Sequence, residues 1–174
     1  PFSSTVESFR REMERGCRGD SSSLGMFPAY LSAGGRPAAG RPVLALDAGG
    51  TNFRAARIRF TPEGQPRVEE LRKCRMPDTD GREIEAEELF RVMAREALTA
   101  AEGCREACIS FSYPCRVLPD GDGRMVSLTK ELHVRGLEGA LICRRLEEEL
   151  QAQGAPGERR WRLINDTVGA MLGG

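Results

Sequence analysis

The stretch Leu44-Ala45-Leu46-Asp47-Ala48-Gly49-Gly50-Thr51-Asn52-Phe53-Arg54 decides how the rest of the chain is read. An apolar run led by Val43, Leu44 and Leu46 ends in an acid, turns on two glycines and resumes through Phe53, Ala55, Ile58 and Phe60. That is the pattern of two strands joined by a tight turn. A Gly-Gly pair permits positive φ and lets a ligand approach without interference from a Cβ. The exposed amides of such a turn, with the Thr51 and Asn52 side chains, can form a phosphate-binding concavity. Asp47, at the end of its strand, can hold magnesium through water, because hard cations take oxygen ligands. The competing reading is an ordinary hairpin turn with an acid at its strand end. The extended pattern Asp-x-Gly-Gly-Thr-Asn-x-Arg is far more specific than the bare turn.

The composition narrows the classes. At 174 residues the chain is long enough for one domain with a proper core. Its formal net charge is zero, and nothing in the charge distribution points to nucleic acid or an anionic membrane. No apolar run approaches the length of a membrane span, and the first residues lack a signal-peptide core. The six cysteines form no C-x-x-C pair and there is a single histidine, so the usual zinc spacing is absent. Reduced thiols in a cytoplasmic setting are the expectation.

Taken in order, residues 3 to 15 read as an amphipathic helix with Val6, Phe9 and Met13 on its packing face. Residues 16 to 41 read as an ordered tether docked through Leu24, Met26, Phe27 and Tyr30. Strands follow at 43 to 47, 52 to 60 and 67 to 76, an antiparallel meander, and then a loop over 77 to 82. A helix spans 84 to 102 on the stripe Ala86, Leu89, Phe90, Met93 and Ala97, and Gly103 stops it. Ala107 to Phe111 is a buried strand ended by Pro114, and Met125, Val126 and Leu128 make a short one. Between them, Asp120-Gly121-Asp122-Gly123 lacks the glutamate that closes a calcium loop, so a solvated turn is expected. A second helix runs over 137 to 152, with Leu137, Leu141, Ile142, Leu146 and Leu150 inward and Glu147-Glu148-Glu149 on a solvated face. Trp161, Leu163 and Ile164 form a last strand, and Val168 to Met171 opens a helix. A helix just begun has little apolar face to bury, so it either caps the domain or belongs to a longer protein.

Four segments then fall in line: Asp47 to Arg54, Phe111-Ser112-Tyr113-Pro114-Cys115, Thr129-Lys130, and Asn165-Asp166-Thr167-Val168-Gly169. Together they resemble the hexokinase family. That resemblance implies an α/β fold of the ribonuclease-H-like (actin-like ATPase) class, with a mixed sheet, an antiparallel meander and flanking helices. It implies residues 1–41 as helix and tether, residues 42–174 as the small lobe, and a second lobe missing from this chain. The activity implied is transfer of phosphate from ATP, with Mg2+, to the 6-hydroxyl of a glucose-like hexose, as in glycolysis.

On the same resemblance, Asp166 is the base that takes the hydroxyl proton. Ser112, Thr129, Lys130, Asn165 and Asp166 hydrogen-bond the sugar, and Lys130 also offsets charge on the transferred phosphoryl group. Gly49, Gly50, Thr51, Asn52 and Arg54 face phosphate, and Asp47 orients the metal. Cys115 matches a family cysteine and reads as packing. His133 reads as a surface or core residue. Each polar residue also has a plain alternative: Ser112 a strand end, Lys130 a surface pair with Glu131, Asn165 to Thr167 a helix cap.

Ala48, Leu128 and Glu131 depart from the family's usual leucine, tryptophan and glycine. The family's second phosphate motif, adenosine segment and later sugar-binding glutamates have no counterpart here. A non-catalytic sugar-binding or regulatory module is the alternative, although a pure binder needs neither Asp47 as metal ligand nor Asp166 as base.

Overall fold

The computed structural model describes residues 2–31, 38–77, 82–126 and 133–173. The elements are α1 (Phe2–Arg18), β1 (Pro42–Ala48), β2 (Asn52–Phe60), β3 (Pro66–Arg75), β4 (Ile84–Glu85), α2 (Ala86–Ala97) and β5 (Glu106–Phe111). They continue with β6 (Cys115–Val117), β7 (Gly123–Met125), β8 (Val134–Arg135), α3 (Ile142–Ala152), β9 (Arg160–Asn165) and α4 (Asp166–Gly173).

Five strands form one sheet in the order β3-β2-β1-β5-β9. The first three are the expected antiparallel meander, whereas β1, β5 and β9 pair in parallel. Alternation puts Leu44, Leu46, Ala48, Phe53, Ala55, Ile109, Phe111 and Leu163 in one buried layer. Against them lie Leu89, Phe90 and Met93 of α2 and Ile142, Leu146 and Leu150 of α3, all buried. The α2 stripe is thus the expected one. Among the described residues, no helix is long and apolar enough to cross a membrane.

Several local expectations need correction. Ile84 and Glu85 do not begin α2 but pair with Val134 and Arg135, and the Ile84 amide donates to the His133 carbonyl. At its other end α2 gives way after Ala97 to turns that finish at Gly103, which has φ +72°. Helix α3 starts at Ile142 rather than at 137, because Gly136 and Gly139 both take positive φ just before it. Leu137 is nevertheless buried, as expected. Strand β7 stops at Met125; Leu128, and residues 78–81 of the expected loop, lie outside the described residues.

Only part of the packing face of α1 is covered by the described residues: Met13 is half-buried, whereas Val6 is 51% and Phe9 57% exposed. Among its described residues, the tether folds back along the end of that helix, where Ser22 and Ser23 bond Glu12. There Gly16 is needed, since a Cβ would stand 2.2 Å from the Leu24 carbonyl oxygen. Leu24 and Met26 are half-buried, while Phe27 and Tyr30 stay exposed, Phe27 beneath the Arg116 guanidinium.

Two acids read as solvated are buried instead. Glu147 turns inward from α3 and accepts from Arg159 Nη1 at 3.0 Å, Gln151 Nε2 at 3.0 Å and Trp161 Nε1 at 2.8 Å. Arg159 lies on the far side of the cluster with its side chain 1% exposed. Asp122 is also buried and serves the start of α3, as described below.

An uncompensated buried charge is expensive, so Glu147→Ala is expected to lower unfolding free energy by about 3–5 kcal/mol. Urea unfolding checks this against Glu148→Ala, an exposed neighbour expected to change stability by no more than about 0.5 kcal/mol.

Candidate functional site

The parallel pairing brings the expected site residues to one edge of the sheet. Ala48 pairs with Phe111, and Phe111 pairs with Asn165, so β1, β5 and β9 end level with one another. The next residues along the chain are Gly49, Ser112 and Asp166. Open parallel sheets bind ligands outside such carboxyl ends.

At the end of β1, Asp47 sits directly across from Arg54 of β2, and its carboxylate accepts from the guanidinium at 2.5 Å. Both side chains are well exposed, so water competes for the pair. The turn between them differs in one respect from expectation: neither Gly49 nor Gly50 has positive φ. The Gly49 amide closes the turn by donating to the Asn52 carbonyl at 3.0 Å. Gly50 has open space where a Cβ would point, so what glycine provides here is access. Thr51 is exposed, Asn52 half-buried, and the Thr51 carbonyl accepts the Met76 amide at 2.9 Å.

The second strand end supplies Ser112, half-buried, whose amide donates to the Ala48 carbonyl at 3.1 Å. Beside it Tyr113 is buried, edge-on to Phe111, and its hydroxyl donates to the Gly49 carbonyl at 3.4 Å. Tyr113 thereby pins the glycine turn to β5, a role not read from the sequence. The available signal was chemical: a buried tyrosine hydroxyl needs an acceptor, and this one follows a strand end. Cys115 is held by burial and the nearby Asp122 charge as a thiol with its pKa pushed up to about 12. It is protonated at neutral pH, which fits packing rather than nucleophilic use.

The third strand end carries Asn165 and Asp166. Asn165 Oδ1 and Asp166 Oδ1 both accept the Thr167 amide, at 3.1 and 2.7 Å, so this segment does cap α4. Capping and a chemical role are compatible here, because the Asp166 carboxylate remains exposed. It lies in the first turn of α4. Gly169 lets α4 lie close: a Cβ there would be 3.2 Å from Ile164 Cδ1 and 4.0 Å from Ser110 Oγ.

Thr129 and Lys130 lie outside the described residues. His133 is exposed. Among the described residues no cluster of three or more His, Cys, Asp or Glu side chains could hold a metal. A lone Asp47 is consistent with magnesium, which keeps several waters and is bound through one or two carboxylates plus substrate phosphates.

A family model described as hexokinase matches residues 2–174. The chain is 29% identical to hexokinase-3 of Mus musculus over 99% of its own length and 20% of that protein. It is 28% identical to glucokinase-1 of Saccharomyces cerevisiae over 86% of its length and 33% of that protein. A solved hexokinase of Schistosoma mansoni complexed with glucose superposes with a TM-score of 0.78 at 27% identity. That match covers 95% of this chain and 38% of the other. The chain therefore spans well under half the length of these proteins. Their fold is the actin-like one, and the α/β architecture with its mixed sheet is borne out.

The exposed Asp47–Arg54 pair is expected to contribute little to folding. Asp47→Asn should change unfolding free energy by less than about 1 kcal/mol in urea titration. A larger loss would mean that Asp47 is there for the fold.

Proposed function

The chain belongs to the hexokinase family, and from that premise we propose that it forms the small lobe of an ATP-dependent hexose kinase. The observation that supports this most is the level ending of β1, β5 and β9. It gathers a phosphate-type turn, a sugar-type serine and a carboxylate at one edge, in the family's order. Residues 42–174 make the lobe, residues 1–41 the helix and tether, and a second lobe completes the cleft. Free thiols on all six cysteines suit a reducing, cytoplasmic setting.

In this reading Ser112 and Asn165 hydrogen-bond ring hydroxyls, with Thr129 and Lys130 as further contacts. Asp166 accepts the proton of the 6-hydroxyl as that oxygen bonds to the γ-phosphorus and the bond to the departing ADP breaks. As the base, its main contribution is position. The open amides of Gly50 and Thr51 face phosphate, with Asn52 beside them. Arg54 exchanges its exposed partner Asp47 for a phosphate oxygen, and Asp47 is released to orient magnesium through water. Magnesium there would offset phosphate charge. Lys130 would do the same for the phosphoryl group in flight. Closure of a second lobe would exclude water, which an open edge alone does not.

Two assays test the proposal. In the two-lobed protein, Asp166→Ala should reduce hexose phosphorylation by about 10²–10⁴-fold with sugar binding partly kept; unchanged turnover would remove Asp166 from the role of base. The 174-residue chain by itself should show no sugar phosphorylation. Turnover by the homogeneous chain would overturn the need for a second lobe, and a two-lobed protein that binds hexose without turnover would favour the non-catalytic module.

A further inference from the structure

Helix α3 starts without a cap of its own. Leu141 stands at its N-cap with no side-chain hydrogen bond to give, yet its first amides need acceptors. Asp122, far away in sequence, supplies them: Oδ1 accepts from Cys143 N at 2.8 Å and Oδ2 from Arg144 N at 3.1 Å. Oδ1 also takes the Gly123 amide at 2.6 Å, and the Asp122 amide donates to Asp120 Oδ1 at 3.0 Å.

The loop that carries Asp122 is at the same time pressed onto the outer edge of β9. The Gly121 carbonyl accepts the Leu163 amide at 2.8 Å, and the Asp120 carbonyl accepts Arg162 Nη1 at 3.0 Å. There is no room for side chains. Gly121 has φ +96°, and a Cβ on it would be 2.5 Å from the Trp161 carbonyl oxygen. One on Gly123 would be 2.6 Å from Leu163 Cδ1. This loop is the tip of the β6–β7 hairpin, whose base pairs Cys115 with Met125. The Val126 amide closes that base on the Pro114 carbonyl at 2.9 Å. One leg of the hairpin thus emerges from Ser112 to Pro114, and the other leads toward Thr129 and Lys130.

We infer that Asp122 is a positioning residue for the sugar site: by tying the hairpin tip to α3 and β9 together, it sets Ser112 relative to Asn165 and Asp166. The inference rests on the kinase reading. Asp122 touches no substrate; it acts through the two strand ends that do.

The test separates this role from simple capping by giving α3 a local cap. Leu141→Asp places a carboxylate at the N-cap itself, so Asp122→Ala combined with Leu141→Asp should recover the midpoint of thermal unfolding lost in Asp122→Ala. On this chain, amide hydrogen exchange at Leu163 should quicken in that double variant by about tenfold, as for one lost net hydrogen bond, with Ile109 in β5 unchanged. In the two-lobed kinase the same double variant should raise KM for the hexose by about tenfold while kcat stays within about threefold. If the double variant restores both Leu163 protection and KM, Asp122 is only a cap and the proposal fails. Unchanged exchange and KM in Asp122→Ala would also overturn it. Should Asp122→Ala not fold, Asp122→Asn, which keeps one acceptor oxygen, is expected to show the same two effects in smaller measure, and their absence counts against the proposal. A two-lobed protein without kinase activity would sink the kinase reading, while Leu163 exchange would still judge the hold of Asp122 on β9.

Discussion

The parallel register of β1, β5 and β9 is the constraint on which everything else depends. Leu46 pairs with Ile109 and Ile109 with Leu163, and all three side chains are buried against the helices. A slip by one residue would turn each strand's buried set to the other face, so burial itself fixes the register. That register also levels the three strand ends. The apolar interior and the polar edge are therefore one arrangement: packing Leu46, Ile109 and Leu163 in a row is what carries Asp47, Ser112 and Asp166 to the same edge.

Around that row the fold relies on a few buried polar groups. Glu147 joins α3 to the start of β9 through Arg159 and Trp161, and Asp122 joins α3 to the edge of β9 through the hairpin tip. Tyr113 and the Met76 amide brace the glycine turn from two sides. Each of these contacts spans long sequence separations and ends on an element that carries a site residue. The candidate site itself is lightly built by comparison: its carboxylates and Arg54 are exposed.

Much of this was legible in the residues. Alternation and turn chemistry located β1, β2 and β3 to within about a residue, a closeness that strongly periodic segments allow, and the stripe of α2 is the buried one. Those are local signals. What escaped was non-local. Nothing near Asp122 announces that α3 lacks a cap at Leu141, and Glu147 sits in a run of three glutamates that reads as solvated. Its partners Arg159 and Trp161 come from the start of β9 and the residue before it. The Gly-Gly pair permits positive φ and open access, and the turn uses only the second, a choice that the residues alone do not reveal. In α1, periodicity identified the helix but could not say whether Val6 and Phe9 are covered.

The central claim, that the level ends of β1, β5 and β9 form one wall of a sugar and phosphate cleft, is tested most directly by a crystal structure of the two-lobed protein with a hexose bound. The expected result is a sugar whose hydroxyls lie within hydrogen-bond distance of Ser112, Asn165 and Asp166, with the 6-hydroxyl at the Asp166 carboxylate. A hexose bound elsewhere on this lobe, for example in the groove lined by Arg144, Glu148 and Arg162, with the strand-end side chains untouched, would contradict it.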